Sequence, residues 1–494
     1  MNAGAEQALK ALVAAEPGEP AHWLQLTALL EQSDKLPEAE DSYRQLIEKM
    51  PELPVARFNF ACFLRRRGRL EEALQQHQKA LDLGIDQPEE VLSNMGVIHT
   101  VLRRDEAARS YLHRALAIRP TYLPALFNLA LLHEEIGDLP RALQLFGRIL
   151  EQDPTWYDAL IRIAHAQQFS DPDDPVIRRL RRTLRRSNLD ALTRESLHFA
   201  LGKALDDCGR YDEAFGQYDL GNRASAPRLL RYDPQGEEDR VSRIIAMFTP
   251  EWLAAATPVS DRPLVFITGM FRSGSTLFEQ VLAAHPRVTA GGEIEYFNRQ
   301  LLLQPGSRFP ESLAAIAPED WKRLGSNYLD YLDRTFPAGR MVTNKRPDAF
   351  PLLGLLGALF PNARFVNTVR DARDTCLSIW FQQFDGQLSY ANELADIAHH
   401  YRQYRRLMAH WRGQLGDRLY DADYDRFVVE PRPVTERLLE FLGLEWHEGC
   451  LDFQRVASRV RTASVGQVRQ PLYRRSSGRW RNYEKQLAGL ARLL

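Results

Sequence analysis

The sequence predicts an α-helical repeat solenoid followed by an α/β domain. Three observations carry that expectation. Small residues recur at Ala39, Ala73, Ala108 and Ala142, at intervals of 34, 35 and 34 residues, which is a helical-repeat period. Past residue 262 the pattern changes to the apolar run LVFITGM followed by FRSGSTLFEQVLAAHP, which reads as a buried strand, a glycine-containing turn and an amphipathic helix. A chain of 494 residues that is 44% hydrophobic can build more than one core.

Each alanine lies in the second helix of a hairpin, within KLPEAEDSYRQLI, RLEEALQQHQKAL, RRDEAARSYLHRAL and DLPRALQLFGRIL. Apolar-periodic segments such as VARFNFACFL and ALFNLALLHEEI precede them. Gly68 and Gly137 break adjacent helices, and Pro120 and Pro154 fall where one hairpin hands over to the next. Small alanines permit close helix approach, and the aromatic residues around them read as core rather than as ligand contacts. These features resemble tetratricopeptide repeats over roughly residues 20 to 155. The repeat domain is expected to span residues 1–224, with an irregular stretch at 155–193 and a further helix pair in LHFALGKALDDCGRYDEAFGQYDLGNRA around Gly209 and Ala214. The six arginines Arg178, Arg179, Arg181, Arg182, Arg185 and Arg186 sit in a helix-compatible run, read as a solvated basic face. A solenoid's concave surface suits peptide recognition or self-association.

Charge and cysteine usage bound the remaining classes. There are 64 Lys plus Arg against 65 Asp plus Glu, so a uniformly basic, nucleic-acid-coating protein is excluded and nucleic acid is not the expected partner. Cys62, Cys208, Cys376 and Cys450 are scattered and form no CxxC pair, which favours a reducing compartment. The first twenty residues lack the apolar core of a secretory signal, and no run of about 18 to 20 apolar residues follows. The expected setting is cytoplasmic, without membrane insertion.

After a connecting segment at 225–254, the second domain is expected over 255–494. Its strand, turn and helix can surround a phosphate with backbone N–H groups and a helix N-terminus, with Ser273, Ser275 and Thr276 as local donors. Gly269, Gly274 and Thr276 match the glycines and final hydroxyl of GxxxxGK[ST], but Ser275 stands where the lysine is required. Loss of that cation argues against ordinary ATP or GTP hydrolysis. Arg272 is a candidate replacement.

The ordered motifs PLVFITGMFRSGSTLFEQVLAAHPRV, VTAGGEIEYF, MVTNKRP, RFVNTVRDARDTCLSIWFQQF, YDADYDRFVVEP and RTASVGQVRQPLYRRSSGRWRNYEKQL resemble the sulfotransferase superfamily, particularly its tyrosylprotein-sulfotransferase-like members. The resemblance implies a three-layer α/β, P-loop-like fold with a central parallel sheet. It also implies transfer of a sulfuryl group from 3′-phosphoadenosine 5′-phosphosulfate to a hydroxyl acceptor, a peptide or protein tyrosine among the candidates, with no metal.

By the same resemblance Arg272, Ser273, Gly274, Ser275 and Thr276 contact the donor's 5′-phosphosulfate, Arg370 and Ser378 its 3′-phosphate, and Tyr424 its adenine. Glu293, after a flexible Gly291-Gly292 pair, looks like the catalytic base, with Glu295 the competing carboxylate. Lys345 would stabilise charge at the donor's bridging oxygen, assisted by Arg272, and Ser464 would hold the donor near the reacting centre. Asp371, Arg373 and Asp374 read as residues that shape a turn. Between Arg455 and Arg481 eight arginines occur with no Lys, Asp or Glu, and Arg469, Arg479 and Trp480 are candidate donor-pocket walls. Phe271 departs from the proline common at its position and could present an aromatic wall. Two other readings stay open: a nucleotide-dependent phosphotransferase, and a repeat-based interaction protein whose second domain binds nucleotide without catalysis.

Overall fold

A computed structural model describes residues 2–302, 308–384, 388–455 and 472–494. The chain forms two compact units, Met1–Glu134 with Asp138–Ala159, and Glu135–Gly137 with Leu160–Leu494.

The first unit consists of helical hairpins. Pairs run Pro20–Gln32 with Leu36–Lys49, Pro54–Arg66 with Leu70–Asp82, and Pro88–Val101 with Asp105–Ile118. Pro20, Pro54 and Pro88 each open a first helix, where proline's missing N–H removes no helical bond. Ala39, Ala73, Ala108 and Ala142 are all fully buried, as close helix approach requires. Trp23, Tyr43, Phe60 and Phe63 fill the space around Ala39 and Ala73, with the Tyr43 and Phe60 rings 5.5 Å apart. The aromatics are therefore core here.

In the second unit, α1 (Ala191–Asp207) and α2 (Tyr211–Ser225) form another hairpin, with Ala214 fully buried. The preceding helix Pro175–Leu184 buries Ile177, Leu180 and Thr183 and turns Arg178 and Arg182 to solvent. Residues 160–224 thus lie in the same compact unit as the sheet, whereas the sequence reading grouped them with the repeats.

The sheet has five parallel strands in the order β2-β3-β1-β4-β5: β1 Val265–Gly269, β2 Val288–Ala290, β3 Met341–Lys345, β4 Arg364–Val369 and β5 Leu419–Asp423. Helices α3 (Ser275–Ala283), α4 (Ala372–Trp380) and α5 (Leu394–Leu415) supply much of its cover. Every residue of β1 is buried, the pattern of a strand covered on both faces. On one face Val265, Ile267, Val366 and Ala422 pack with Phe278 and Val281 of α3. On the other, Phe266 meets Tyr328 and Phe365, while α5 docks through Trp411 Nε1–H to the Phe350 carbonyl (2.8 Å) and Tyr404 O–H to Asn367 Oδ1 (2.7 Å). This is a three-layer arrangement. Burying each large apolar side chain contributes roughly 1.5–3 kcal/mol, so both layers are needed to hold the strands.

The hairpin α1–α2 is bonded to the sheet's own helices. Asn222 Nδ2–H donates to the Trp380 carbonyl at the end of α4 (3.0 Å), Asn392 donates to Asn222 Oδ1 (3.1 Å), and the Tyr218 ring stacks 4.0 Å from Phe381. No helix among the described residues is long and apolar enough to cross a membrane.

Candidate active site

Strand order reverses between β1 and β4, so the loops leaving their carboxyl ends face one crevice, the usual ligand position of an open α/β sheet. The expected residues follow the carboxyl ends of all five strands: Arg272 after β1, Glu293 after β2, Lys345 closing β3, Arg370 after β4 and Tyr424 after β5.

The loop after β1 has a tight, glycine-dependent backbone. Arg272 adopts φ +67°, an uncommon left-handed conformation for a side chain of its size, and Gly274 follows at φ +104°. A Cβ on Gly274 would lie 2.8 Å from the Tyr424 ring, so only glycine fits both the backbone and the neighbour. Ser273 Oγ bonds to the Met270 carbonyl (2.7 Å) and to Thr368 Oγ1 of β4 (2.6 Å), which fastens the loop to the sheet. Ser275 and Thr276 open α3 and are buried, at the helix end where N–H groups lack intrahelical partners. Phe271 turns its ring edge-on to Phe384 at 5.7 Å, an aromatic contact rather than a polar one.

Positive charge converges behind this loop. Arg272 Nε–H donates to Ser378 Oγ of α4 (3.1 Å), and Arg370 donates to the Arg272 carbonyl (3.0 Å) and to the Ser476 carbonyl. The Arg370 guanidinium lies 5.1 Å from the Tyr424 ring centre, and its Nε is buried with no hydrogen-bond partner among the described residues. Desolvation, followed by the positive charge of Arg370, pushes the Arg272 guanidinium down to about 10. Two adjacent arginines and an orphaned buried donor fit an anionic group such as a phosphate, which would supply the missing acceptor.

The residues after β4 and in the C-terminal segment pack beside this arginine pair. Asp371 caps α4 by accepting from the N–H groups of Arg373 (2.8 Å) and Asp374 (3.3 Å), and it pairs with the Arg373 side chain. Asp374 accepts from the N–H groups of Gly478 (2.6 Å) and Trp480 (2.7 Å), while Arg373 stacks 3.5 Å from the centre of the Trp480 ring. Arg479 pairs with Asp206 of α1 at 2.5 Å. Ser464 and Arg469 lie outside the described residues.

A second group forms after β2 and β3. Lys345 Nζ donates to Glu293 Oε1 at 2.6 Å; the lysine side chain is 1% exposed and the glutamate 37% exposed, so the carboxylate faces outward from a buried cation. Glu295 is differently placed: burial would raise its carboxyl, but ion pairs with Arg299 and Arg346 hold it below the ordinary range. The Gly291-Gly292 pair, expected to be flexible, is instead clamped. A Cβ on Gly291 would lie 2.1 Å from the Thr343 carbonyl, Gly292 N–H donates to Glu279 Oε1 (3.0 Å), and Lys345 N–H donates to the Gly292 carbonyl (2.9 Å). Gly291 is required because β3 passes too close for a side chain, and Gly292 because its backbone sits at φ +68°.

Glu279 escaped the sequence reading. It is buried in α3, also accepts from Thr343 Oγ1 (2.8 Å), and has its carboxyl raised by desolvation against the lowering charge of Lys345. A charged residue inside an otherwise buried helical run was its available signal.

Residues 263–448 match a sulfotransferase family model, and residues 59–85 and 106–167 match tetratricopeptide repeat models. An uncharacterized protein of Aquifex aeolicus (strain VF5) is 28% identical over 487 residues, covering 96% of this chain and 62% of that protein. Protein-tyrosine sulfotransferase 1 of Danio rerio is 26% identical over 229 residues, covering 42% of this chain and 61% of that protein, and protein-tyrosine sulfotransferase 1 of Homo sapiens is 26% identical over 230, covering 42% and 58%. The chain therefore spans about three fifths of the length of these curated relatives. Among solved structures, the sulfotransferase domain from the Synechococcus PCC 7002 olefin synthase aligns with a TM-score of 0.35 and 22% identity, over 46% of this chain and 88% of that one. The chain combines a tetratricopeptide-repeat region with a sulfotransferase-like domain that is homologous, at low identity, to protein-tyrosine sulfotransferases.

Proposed function

We propose that residues 255–494 form a sulfotransferase that takes 3′-phosphoadenosine 5′-phosphosulfate as donor and sulfates a hydroxyl acceptor. The observation that carries this reading is the pairing of Lys345 with Glu293 beside a loop backed by Arg272 and Arg370. The loop residues Arg272 to Thr276 hold the phosphosulfate, and Arg370 with Ser378 holds the 3′-phosphate. Tyr424 and Trp480 offer apolar faces to the nucleoside.

In the reaction the acceptor oxygen forms a bond to sulfur as the bond from sulfur to the 5′-phosphate oxygen breaks. Glu293 takes the acceptor's proton, and adenosine 3′,5′-bisphosphate leaves. Lys345 has three donors, so it can orient Glu293 and still stabilise negative charge on the departing oxygen. Burial strengthens that contribution, because little water competes for the cation. Peptide or protein tyrosine is the first acceptor to test, given the names of the relatives, and the repeat region is suited to recruiting a protein partner or a second copy.

The test is transfer of labelled sulfuryl group from the donor to tyrosyl peptides, glycans, lipids and small alcohols. Donor-dependent labelling that disappears in Lys345→Ala is the expected result. Turnover of ATP with a divalent metal, and no use of the phosphosulfate donor, would overturn the reading.

A further inference from the structure

Arg479 stands apart from the other cations of the donor pocket in how it is held. Its neighbours Gly478 and Trp480 bond through their backbone N–H groups to Asp374 in the first turn of α4, and α4 also carries Ser378, the partner of Arg272. Ser476, three residues earlier, accepts from Arg370. The turn that bears Arg479 is thus tied to the same helix and the same arginine pair that form the anion pocket. The Arg479 guanidinium also lies 4.9 Å from the Phe381 ring centre, and its charge contributes to the depression of Arg272 after desolvation and Arg370. Three guanidinium groups in one half-buried region repel one another, and a long side chain in that position would turn toward water unless an opposite charge held it.

That opposite charge comes from outside the sheet. Asp206, in the last turn of α1, meets Arg479 at 2.5 Å, with side-chain exposures of 12% and 24%, and its other carboxylate oxygen accepts from Tyr483 O–H. The hairpin that presents it is itself anchored to α4 by Asn222 and by the Tyr218 stack on Phe381. We infer that Asp206 is a positioning residue for the donor site: the helical hairpin reaches across to hold Arg479 where its charge adds to those of Arg272 and Arg370. The inference rests on the donor reading proposed above.

Titration calorimetry of the full chain with adenosine 3′,5′-bisphosphate tests it. Asp206→Asn should weaken binding on the order of tenfold, the loss expected when a charge-assisted contact is removed, with kcat at saturating donor little changed and KM raised. Arg479→Ala should weaken it similarly, and the double variant should be no worse than Arg479→Ala alone. Tyr483→Phe, which removes the other bond to Asp206, should lower Tm without changing affinity. Wild-type affinity in Asp206→Asn, or additive losses in the double variant, overturns the inference while leaving the donor reading intact; absence of binding by the wild-type chain overturns both. Should Asp206→Asn not fold, Asp206→Ser takes its place in the same titration: unchanged affinity rejects the role, and a loss of about tenfold retains it.

Discussion

The hairpins of the first unit and the hairpin α1–α2 carry the same alanine, buried in the same way, yet their outer faces are put to different use. Ala108 and Ala214 are both fully buried between helices. Around Ala39 and Ala73 the neighbouring contacts are a continuous apolar core of Leu, Phe and Tyr. Around Ala214 the hairpin adds directed polar bonds, from Asn222 to the Trp380 carbonyl and from Asp206 to Arg479. The alanine repeat specifies how two helices pack on each other. What the hairpin then binds depends on a few polar residues outside the repeat pattern.

Variants can break this comparison at several strengths. The largest effect is expected at the strand ends, where Lys345→Ala and Glu293→Gln should lower turnover by about 10²–10⁴ with circular dichroism and Tm close to wild type. A wild-type rate in a donor-dependent assay would remove those roles. Asn222→Ala leaves the buried Trp380 carbonyl without this donor and should cost about 1–3 kcal/mol, read in denaturant unfolding of the second unit. If that substitution has no effect, the polar bonding of α1–α2 is incidental. Ala108→Leu overpacks a first-unit hairpin and should also cost about 1–3 kcal/mol, but with bisphosphate affinity unchanged, since the residue belongs to the other compact unit. An altered donor affinity in Ala108→Leu would argue against treating the two hairpin classes separately.

The smallest effect concerns pH. Burial would raise the carboxyl of Glu237 in helix Pro234–Met247, but His400, 3.2 Å away on α5, and Arg240 hold it down to about 2. A folded-state value below the unfolded one near 4.5 stabilises the protein above that pH, and the contribution is lost as pH falls toward 2. Wild type should therefore lose stability across that window more steeply than Glu237→Gln. Parallel Tm curves between pH 5 and 2 would show that the pair contributes nothing.

Much of the candidate site was legible because its parts are local. Arg272 to Thr276 lie in one strand, turn and helix, and Asp371 to Asp374 cap one helix, so short motifs report them. Glu279 and Asp206 were not legible for the opposite reason. Thr343, which bonds Glu279, is 64 residues away, and Arg479 is 273 residues from Asp206. No periodicity connects such pairs. The Gly291-Gly292 pair is an intermediate case: the glycines are visible in the sequence, but the close passage of β3 at Gly291 and the left-handed backbone at Gly292 that require them are not.

By itself the sequence determined the helical repeat, through a period near 34 residues, and the strand, turn and helix around β1. Both follow from constraints that act within one supersecondary unit: the pitch of packed helices, and the backbone conformations a tight loop demands. Only the tertiary structure decided which carboxylate faces Lys345, which is held by Arg299 and Arg346, and which one crosses from the hairpin to Arg479. Charges of the same type are interchangeable along the chain. Distance and burial, set by packing between segments far apart in sequence, assign each its partner.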